Sequence, residues 1–515
     1  MPHPSLTFRE SDLIAGQPVP LATSPCSALT SLNPASPSQA IWSGTPVLGH
    51  VDLAVAAARA ALPDWSTWPF ERRAAVLNHY KQLCTAKVDA IAALIRDETG
   101  KVAWDAKAEA QLLAAKVDIT LDAGPDGALR RVTGIETTLA PTRIGRSWFR
   151  PHGVMAVIGP FNFPAHLPNG HIIPALAMGN TIVLKPSDKT PAVGQLLGEL
   201  FLESLDALNA PPGVLNVVQG SATAAQRLVA HSDIDGVLFT GSWPVGRAIL
   251  QANLDHPGRI LALEMGGNNP AIILPDADLK QAVTECVRSA FISTGQRCTC
   301  TRRVIVHRAV ADKVIKAIGK AASNLIIGNP AAAHPVFMGP VISGPARQSI
   351  LDAQAALIAA GADPILRAQA LPGDGWFITP GLLRVDRFTP GETGPGADIE
   401  IFGPVLRVST TDSLDDAIAQ ANATRYGLAA SLFTKDPAAI EKFLRLARAG
   451  CVNINTGTAG ASSKLPFGGL GLSGNHRPAG AFSLDYCAYP VAGMIESGNA
   501  ATLPAGMRID DDWVA

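Results

Sequence analysis

Between residues 154 and 240, short apolar runs alternate with stretches of helical character, and no other feature restricts the fold of this chain as much. Residues 154–158 (Val-Met-Ala-Val-Ile), 181–185, 214–218 and 236–240 have the length and β-branched content of strands buried on both faces. Helices are expected between them at 167–178, 192–208 and 222–231, with Gly179-Asn180 as the C-cap of the first. Strands that alternate with helices pair in parallel, so the pattern predicts an α/β fold with a doubly wound parallel sheet. After Glu264 a second series begins, with strands at 271–274 and 303–306 and helices at 279–294 and 310–326. At 515 residues the chain exceeds what one hydrophobic core supports, and two or three domains are expected.

Upstream, residues 51–61 and 71–87 carry apolar side chains at helical spacing, and Thr99-Gly100 stops a helix before an Ala-rich one at about 104–121. Residues 124–153 lose that period and read as a turn followed by extended segments, a hairpin arm. The tail beyond Ser483 is extended again and ends in Asp510-Asp511-Asp512. Hydrophobic residues make up 47% of the chain and charged ones 17%, as in a globular protein. Lysine and arginine number 42 against 43 acidic residues, a net charge of −1, which gives no general pull toward nucleic acid or anionic membrane. The start lacks an apolar signal segment, and the apolar runs are strand-sized, too short to span a bilayer. Seven scattered cysteines make no disulfide framework and fit a reducing, cytoplasmic setting.

Several segments carry chemistry. Gly469-Leu-Gly-Leu-Ser-Gly474 matches the dinucleotide fingerprint G-x-G-x-x-G, but it follows no strand and opens no convincing helix, so it reads as a mobile glycine-rich loop. Phe239-Thr-Gly-Ser-Trp-Pro-Val-Gly246 does follow a strand and open a helix. There free N–H groups and the helix dipole can meet an anion, with Ser242 as N-cap and Pro244 in the first turn. By itself this could equally be an ordinary capped turn. Cys298 lies in Gly295-Gln-Arg-Cys-Thr-Cys300, downstream of Glu264-Met-Gly-Gly-Asn-Asn-Pro270, and Asn162 lies in Gly159-Pro-Phe-Asn-Phe-Pro164. A free thiol has a pKa of about 8.5, so a reactive cysteine needs a helix N-terminus, a cation such as Arg297, or an acceptor. Cys26, Cys84, Cys286, Cys451 and Cys487 read as buried filler. Cys298 and Cys300 with His307 do not complete a zinc set, so no metal is expected.

Together, Asn162, Glu264 and Cys298 resemble the oxyanion donor, general base and nucleophile of the aldehyde dehydrogenase superfamily, and the resemblance extends over about residues 51–490. It implies that Cys298 attacks an aldehyde to give a thiohemiacetal, its oxyanion held by the Asn162 amide and the Cys298 N–H. Hydride then passes to a nicotinamide, and Glu264 activates water to hydrolyse the resulting thioester. The same resemblance places Gly241, Ser242 and Gly246 at the pyrophosphate and Lys185 and Asp188 at the adenosine ribose. Glu400 and Phe402 fall at the nicotinamide ribose and ring. Trp243-Pro244 departs from the family turn by removing one phosphate donor. Asp188 stands where the family usually has Glu; an acidic group there repels a 2′-phosphate, so NAD is expected ahead of NADP.

A narrower likeness is to the N-succinylglutamate 5-semialdehyde dehydrogenase branch, which serves arginine catabolism. It rests on residues 162–171, 264–270, 295–300, 473–478 (Ser-Gly-Asn-His-Arg-Pro) and 485–490, whereas the loop 457–464 and the first fifty residues depart. Such a substrate carries carboxylates, for which Arg297, Arg477, His166, His171 and Lys464 are the available partners. The alternatives are another aldehyde with the same chemistry, a cofactor-independent thiol esterase, and a non-enzymatic protein on an enzyme scaffold. The resemblance divides the chain into an NAD-binding domain (1–128 and 151–263), a catalytic domain (264–482) and a small β oligomerisation arm (129–150 and 483–500). It also implies a homo-dimer or homo-tetramer, since an exposed hairpin with unpaired edges is a liability in a monomer.

Overall fold

The computed structural model describes residues 10–23, 28–498 and 502–515, so Cys26 lies outside the described residues. Five strands of the first sheet run parallel, in the spatial order Ile260–Glu264, Gly236–Thr240, Val154–Ile158, Thr181–Lys185 and Leu215–Val217. The middle three are buried at every position. Met155 and Val157 join one apolar cluster while Val154, Ala156 and Ile158 join another, so both faces are covered and the strands read as unbroken apolar runs. The expected Gly179-Asn180 cap is present: Gly179 is left-handed at φ 93°, and the Asn180 amide N–H bonds Ala175 O at 3.0 Å.

Strand order reverses between Val154–Ile158 and Gly236–Thr240, because the chain first adds strands on one side and then on the other. In such sheets a crevice opens at the carboxyl ends of the strands beside the reversal. Segment 159–165, Lys185, Gly241-Ser242 and Glu264 all lie at those ends.

The far edge of the sheet belongs to a region that the sequence pattern left unassigned. Ser11–Ile14 and Gln17–Pro20 form a hairpin whose first strand pairs antiparallel with Leu215–Val217. Its turn, Ala15-Gly16, has φ of 52° and 78°, the mirror-type geometry that matches strand twist. A second hairpin joins Leu29–Asn33 to Ser36–Gly44.

The second sheet has the order Asp363–Leu366, Gly381–Arg384, Val405–Thr411, Thr301–His307, Asn269–Ile273, Ala429–Phe433 and Cys451–Ile454, parallel except for its first pair. Helix Leu279–Phe291 is shorter than the expected 279–294. Ser293 and Thr294 are left-handed at φ 51° and 56°, held there by hydrogen bonds from Ser293 Oγ to Asp105 and from Thr294 Oγ1 to Gly339 O.

A third, antiparallel sheet of Ala488–Glu496, Arg143–Pro151 and Glu136–Ala140 stands where the arm is expected. Its hairpin begins later than residue 129, because Ala128–Val132 is a 3-10 helix docked on the tail through Arg131, which pairs with Asp485 and lies over the Phe482 ring. Residues 499 and 500 of the expected arm lie outside the described residues. No helix among the described residues is long and apolar enough to cross a membrane.

Candidate active site

Glu264 ends a strand of the first sheet and Asn269 begins one of the second, so residues 265–268 carry the chain across the crevice. Carboxyl ends of the first sheet therefore meet amino ends of the second. Cys298 sits just before Thr301–His307, and Glu400 and Phe402 just before Val405–Thr411. Asn269 fixes the thiol loop: its Nδ2 donates to Cys298 O at 2.7 Å and to Cys300 O at 2.8 Å, while its Oδ1 accepts from Ala429 N.

Asn162 is nearly buried, and its Nδ2 donates to Gln296 O at 3.0 Å, so one amide hydrogen anchors the side chain and the other remains available. The left-handed Ser293 and Thr294 bring Gln296 to it after helix Leu279–Phe291 ends. Cys298 is half-buried. Burial first, then the Glu400 and Glu264 carboxylates, push its thiol pKa up to about 12. Glu264 is itself buried, with Oε2 lacking any partner, and desolvation holds its carboxyl well above the usual range. The Cys298 thiol therefore carries its proton at neutral pH.

Arg297 does not perform the activation that its adjacency to Cys298 suggests. Its guanidinium turns away to Asp105, at 2.6 Å, and to Ser293 Oγ, at 2.8 Å, and its charge acts on Cys300 instead. Cys300 is filler, its thiol facing Ile292 O. Cys451, expected as filler too, is half-buried near the site, where the Gly468 backbone and Glu264 both influence its thiol.

Helix Trp243–Ala252 points its N-terminus into the crevice. Ser242 holds the N-cap position with extended backbone, but its side chain makes no capping bond and Pro244 offers no N–H, so the Trp243 and Val245 amides carry the site. At Gly246 a side chain would collide with Met265, which explains the glycine. Lys185, almost inaccessible, has its pKa lowered to about 8 by burial despite nearby Asp188. At the other end, Glu400 Oε1 accepts from Gly267 N at 2.9 Å, a side chain at Gly266 would strike its carboxylate, and Phe402 meets Phe161 edge-on at 5.8 Å. An anion-accepting helix end, with a buried cation to one side and a carboxylate and aromatic ring to the other, fits a nicotinamide dinucleotide.

The loop 469–474 is no mobile glycine loop. Met265 N donates to Ser473 O at 2.9 Å, Glu264 bridges to Gly474, and a side chain at Gly468 would meet Glu264 Oε1 at 2.8 Å. It forms one wall around Glu264.

Sequence reasoning missed Asp105, Glu109 and Arg302. Arg302 is fully buried, donates to Arg297 O and to Gly403 O at 3.0 Å each, and so ties the thiol loop to the Glu400 segment. Only the i, i+4 spacing of Asp105 and Glu109 on a largely apolar helix face hinted at a buried role.

The aldehyde dehydrogenase family model matches residues 24–490. The chain belongs to the aldehyde dehydrogenase family. An N-succinylglutamate 5-semialdehyde dehydrogenase of Novosphingobium aromaticivorans is 41% identical over 482 residues, covering 94% of this chain and 99% of the relative. N-succinylglutamate 5-semialdehyde dehydrogenase 2 of Caulobacter vibrioides is 45% identical over 472 residues, covering 90% and 92%. Among solved structures, 1-pyrroline-5-carboxylate dehydrogenase from Thermus with bound NAD superposes with a TM-score of 0.86 at 28% identity, over 94% of this chain and 92% of that one. Glyceraldehyde-3-phosphate dehydrogenase of Methanocaldococcus jannaschii, complexed with NADP, superposes at 0.83 and 26% identity, over 91% and 99%. This aldehyde dehydrogenase is thus an NAD(P)-dependent oxidoreductase with two mostly parallel seven-stranded sheets and a small antiparallel one.

Proposed function

We propose that this aldehyde dehydrogenase oxidises N-succinylglutamate 5-semialdehyde to N-succinylglutamate with NAD, a step of arginine catabolism. The observation that carries this reading is the 41% and 45% identity, over nine-tenths of the chain, to enzymes of that name.

In this reading Cys298 is the nucleophile, Glu264 the base and Asn162 an oxyanion donor. Cys298 releases its proton to water and adds, as the thiolate, to the aldehyde carbon. The free Asn162 amide hydrogen and the Cys298 N–H, which has no partner among the described residues, hold the oxyanion. When bound, the nicotinamide supplies the hydride acceptor. Glu264 then takes a proton from the water that adds to the Cys298 thioester, and the thiol departs. Its buried, unpartnered Oε2 is the oxygen suited to that proton. Lys185, Asp188, Gly241, Ser242 and Gly246 hold the adenosine and pyrophosphate half, and Glu400 and Phe402 the nicotinamide half. Asp188 disfavours the 2′-phosphate of NADP. The cofactor domain is 1–128 with 151–263, the catalytic domain 264–482, and the arm 129–150 with 483–500.

Steady-state reduction of NAD and of NADP with this semialdehyde, succinic semialdehyde and propanal tests the reading. The expected result is the highest kcat/KM for the succinylated substrate with NAD. A higher value for either other aldehyde would discard the named substrate.

A further inference from the structure

The five side chains available to substrate carboxylates end up in very different places. His171 is buried, with Nδ1 2.9 Å from the Tyr486 hydroxyl and Nε2 3.2 Å from Thr240 Oγ1, so both ring nitrogens are occupied. Arg477 and Lys464 are exposed. Arg297 and His166 lie together beside Phe163, at the half-buried rim that also holds Cys298.

Behind that rim the charges do not balance. Helix Ala103–Leu121 buries Asp105, Glu109 and Lys116. Asp105 pairs with Arg297 at 2.6 Å, and Glu109 pairs with Lys101 while its Oε1 accepts the Ala165 and His166 amides. Lys116 has no carboxylate partner among the described residues. Its ammonium donates to Gly480 O and Ser483 Oγ, each at 2.7 Å. Three cations thus face two carboxylates, and a buried charge without a counterion is costly. The imbalance is felt at His166, whose imidazole is kept neutral by burial and then by Lys116, Lys101 and Arg297.

Two polar atoms at this spot are unspent. His166 Nδ1 is buried with no partner. Arg297 uses Nη2 on Asp105 and Nε on Ser293, which leaves Nη1 without a hydrogen bond among the described residues. We propose that Arg297 and His166, backed by the uncompensated charge of Lys116, form a subsite that reads a carboxylate of the aldehyde substrate. Its ligand class is a semialdehyde of an organic acid, bound with its carboxylate on Arg297 Nη1 and the imidazole N–H. This rests on the functional reading above only for the identity of that acid.

The experiment compares kcat/KM for N-succinylglutamate 5-semialdehyde, succinic semialdehyde and propanal in the wild type and in His166→Leu, Arg297→Lys, Lys464→Ala and Arg477→Ala. Melting temperature and NAD titration check that each variant is folded. In His166→Leu and Arg297→Lys the preference for the carboxylated substrates over propanal is expected to fall about tenfold or more, the worth of a charge-assisted hydrogen bond. If either of these variants does not fold, the other decides. A preference that stays in both, or that collapses in Lys464→Ala or Arg477→Ala instead, overturns the subsite. Should the wild type prefer succinic semialdehyde and lose that preference in His166→Leu, the subsite stands and the named substrate falls. A wild type that prefers propanal overturns both.

Discussion

At the scale of single residues, burial is the dominant influence on the reactive groups. It raises the Cys298 thiol to about 12 and holds the Glu264 carboxyl well above the usual range, and negative charge on Glu400 or Glu264 disfavours the thiolate further. A base with a raised pKa is idle below that value and competent above it, so kcat/KM should climb with rising pH. Glu264→Gln should lower kcat by about 10²–10⁴ and flatten that climb. Mass spectrometry of the variant after mixing with aldehyde and NAD should show an acylated Cys298. Near-normal turnover in the Gln variant would remove Glu264 from the mechanism. Asn162, Glu264 and Cys298 stand out in the sequence because each sits in a compact local pattern. Arg297 was readable only by adjacency, and adjacency misled: its true partner, Asp105, is 192 positions away. Pairings of that kind arise from packing and leave almost no local signature.

Among the elements, helix Pro191–Ala207 shows how distant segments are joined. Its N-cap residue Thr190 makes no side-chain capping bond. Glu98, from helix Val88–Thr99, caps it instead, accepting from Ala192 N at 2.9 Å and Val193 N at 2.8 Å, and also from Ser31 Oγ of an N-terminal hairpin at 2.6 Å. Burial raises this carboxyl to about 7. A group whose folded pKa is raised stabilises the fold fully below its unfolded pKa, ordinarily 4.5, and loses that contribution as pH rises through the folded value near 7. Calorimetry between about pH 5 and about pH 8 should show Glu98→Gln gaining melting temperature relative to the wild type as pH increases. A constant difference across that range would count against the assignment. The parallel strands were legible because strands buried on both faces are unbroken apolar runs. The N-terminal hairpins were not: Gln17–Pro20 is largely exposed and carries prolines, and Ser36–Gly44 is polar and only partly buried. Helix Leu279–Phe291 was overextended because the left-handed Ser293 and Thr294 are set by partners far along the chain.

For the whole molecule, the three-stranded sheet is the feature without a counterpart in the rest of the chain. Strand Glu136–Ala140 lies at its edge, and Leu139, Met494 and Ile495 are exposed on it. An open edge and apolar side chains of this kind call for a partner. Sedimentation of the full chain should give a dimer or tetramer, and Leu139→Lys with Ile495→Lys should shift it toward monomer. A full-length protein that sediments as a folded monomer would end this reading. The short passage 265–268 between the two large sheets has a different consequence. It joins Glu264 on one side to Asn269, the clamp of the Cys298 loop, on the other, so the two are fixed as one block. Phe163 and His166 belong to another segment, whereas Thr458 of the loop 457–464 bonds to Thr299 O beside the thiol. In the proposed reading, a change at Phe163 or His166 alters the acid that is recognised and leaves this block in place.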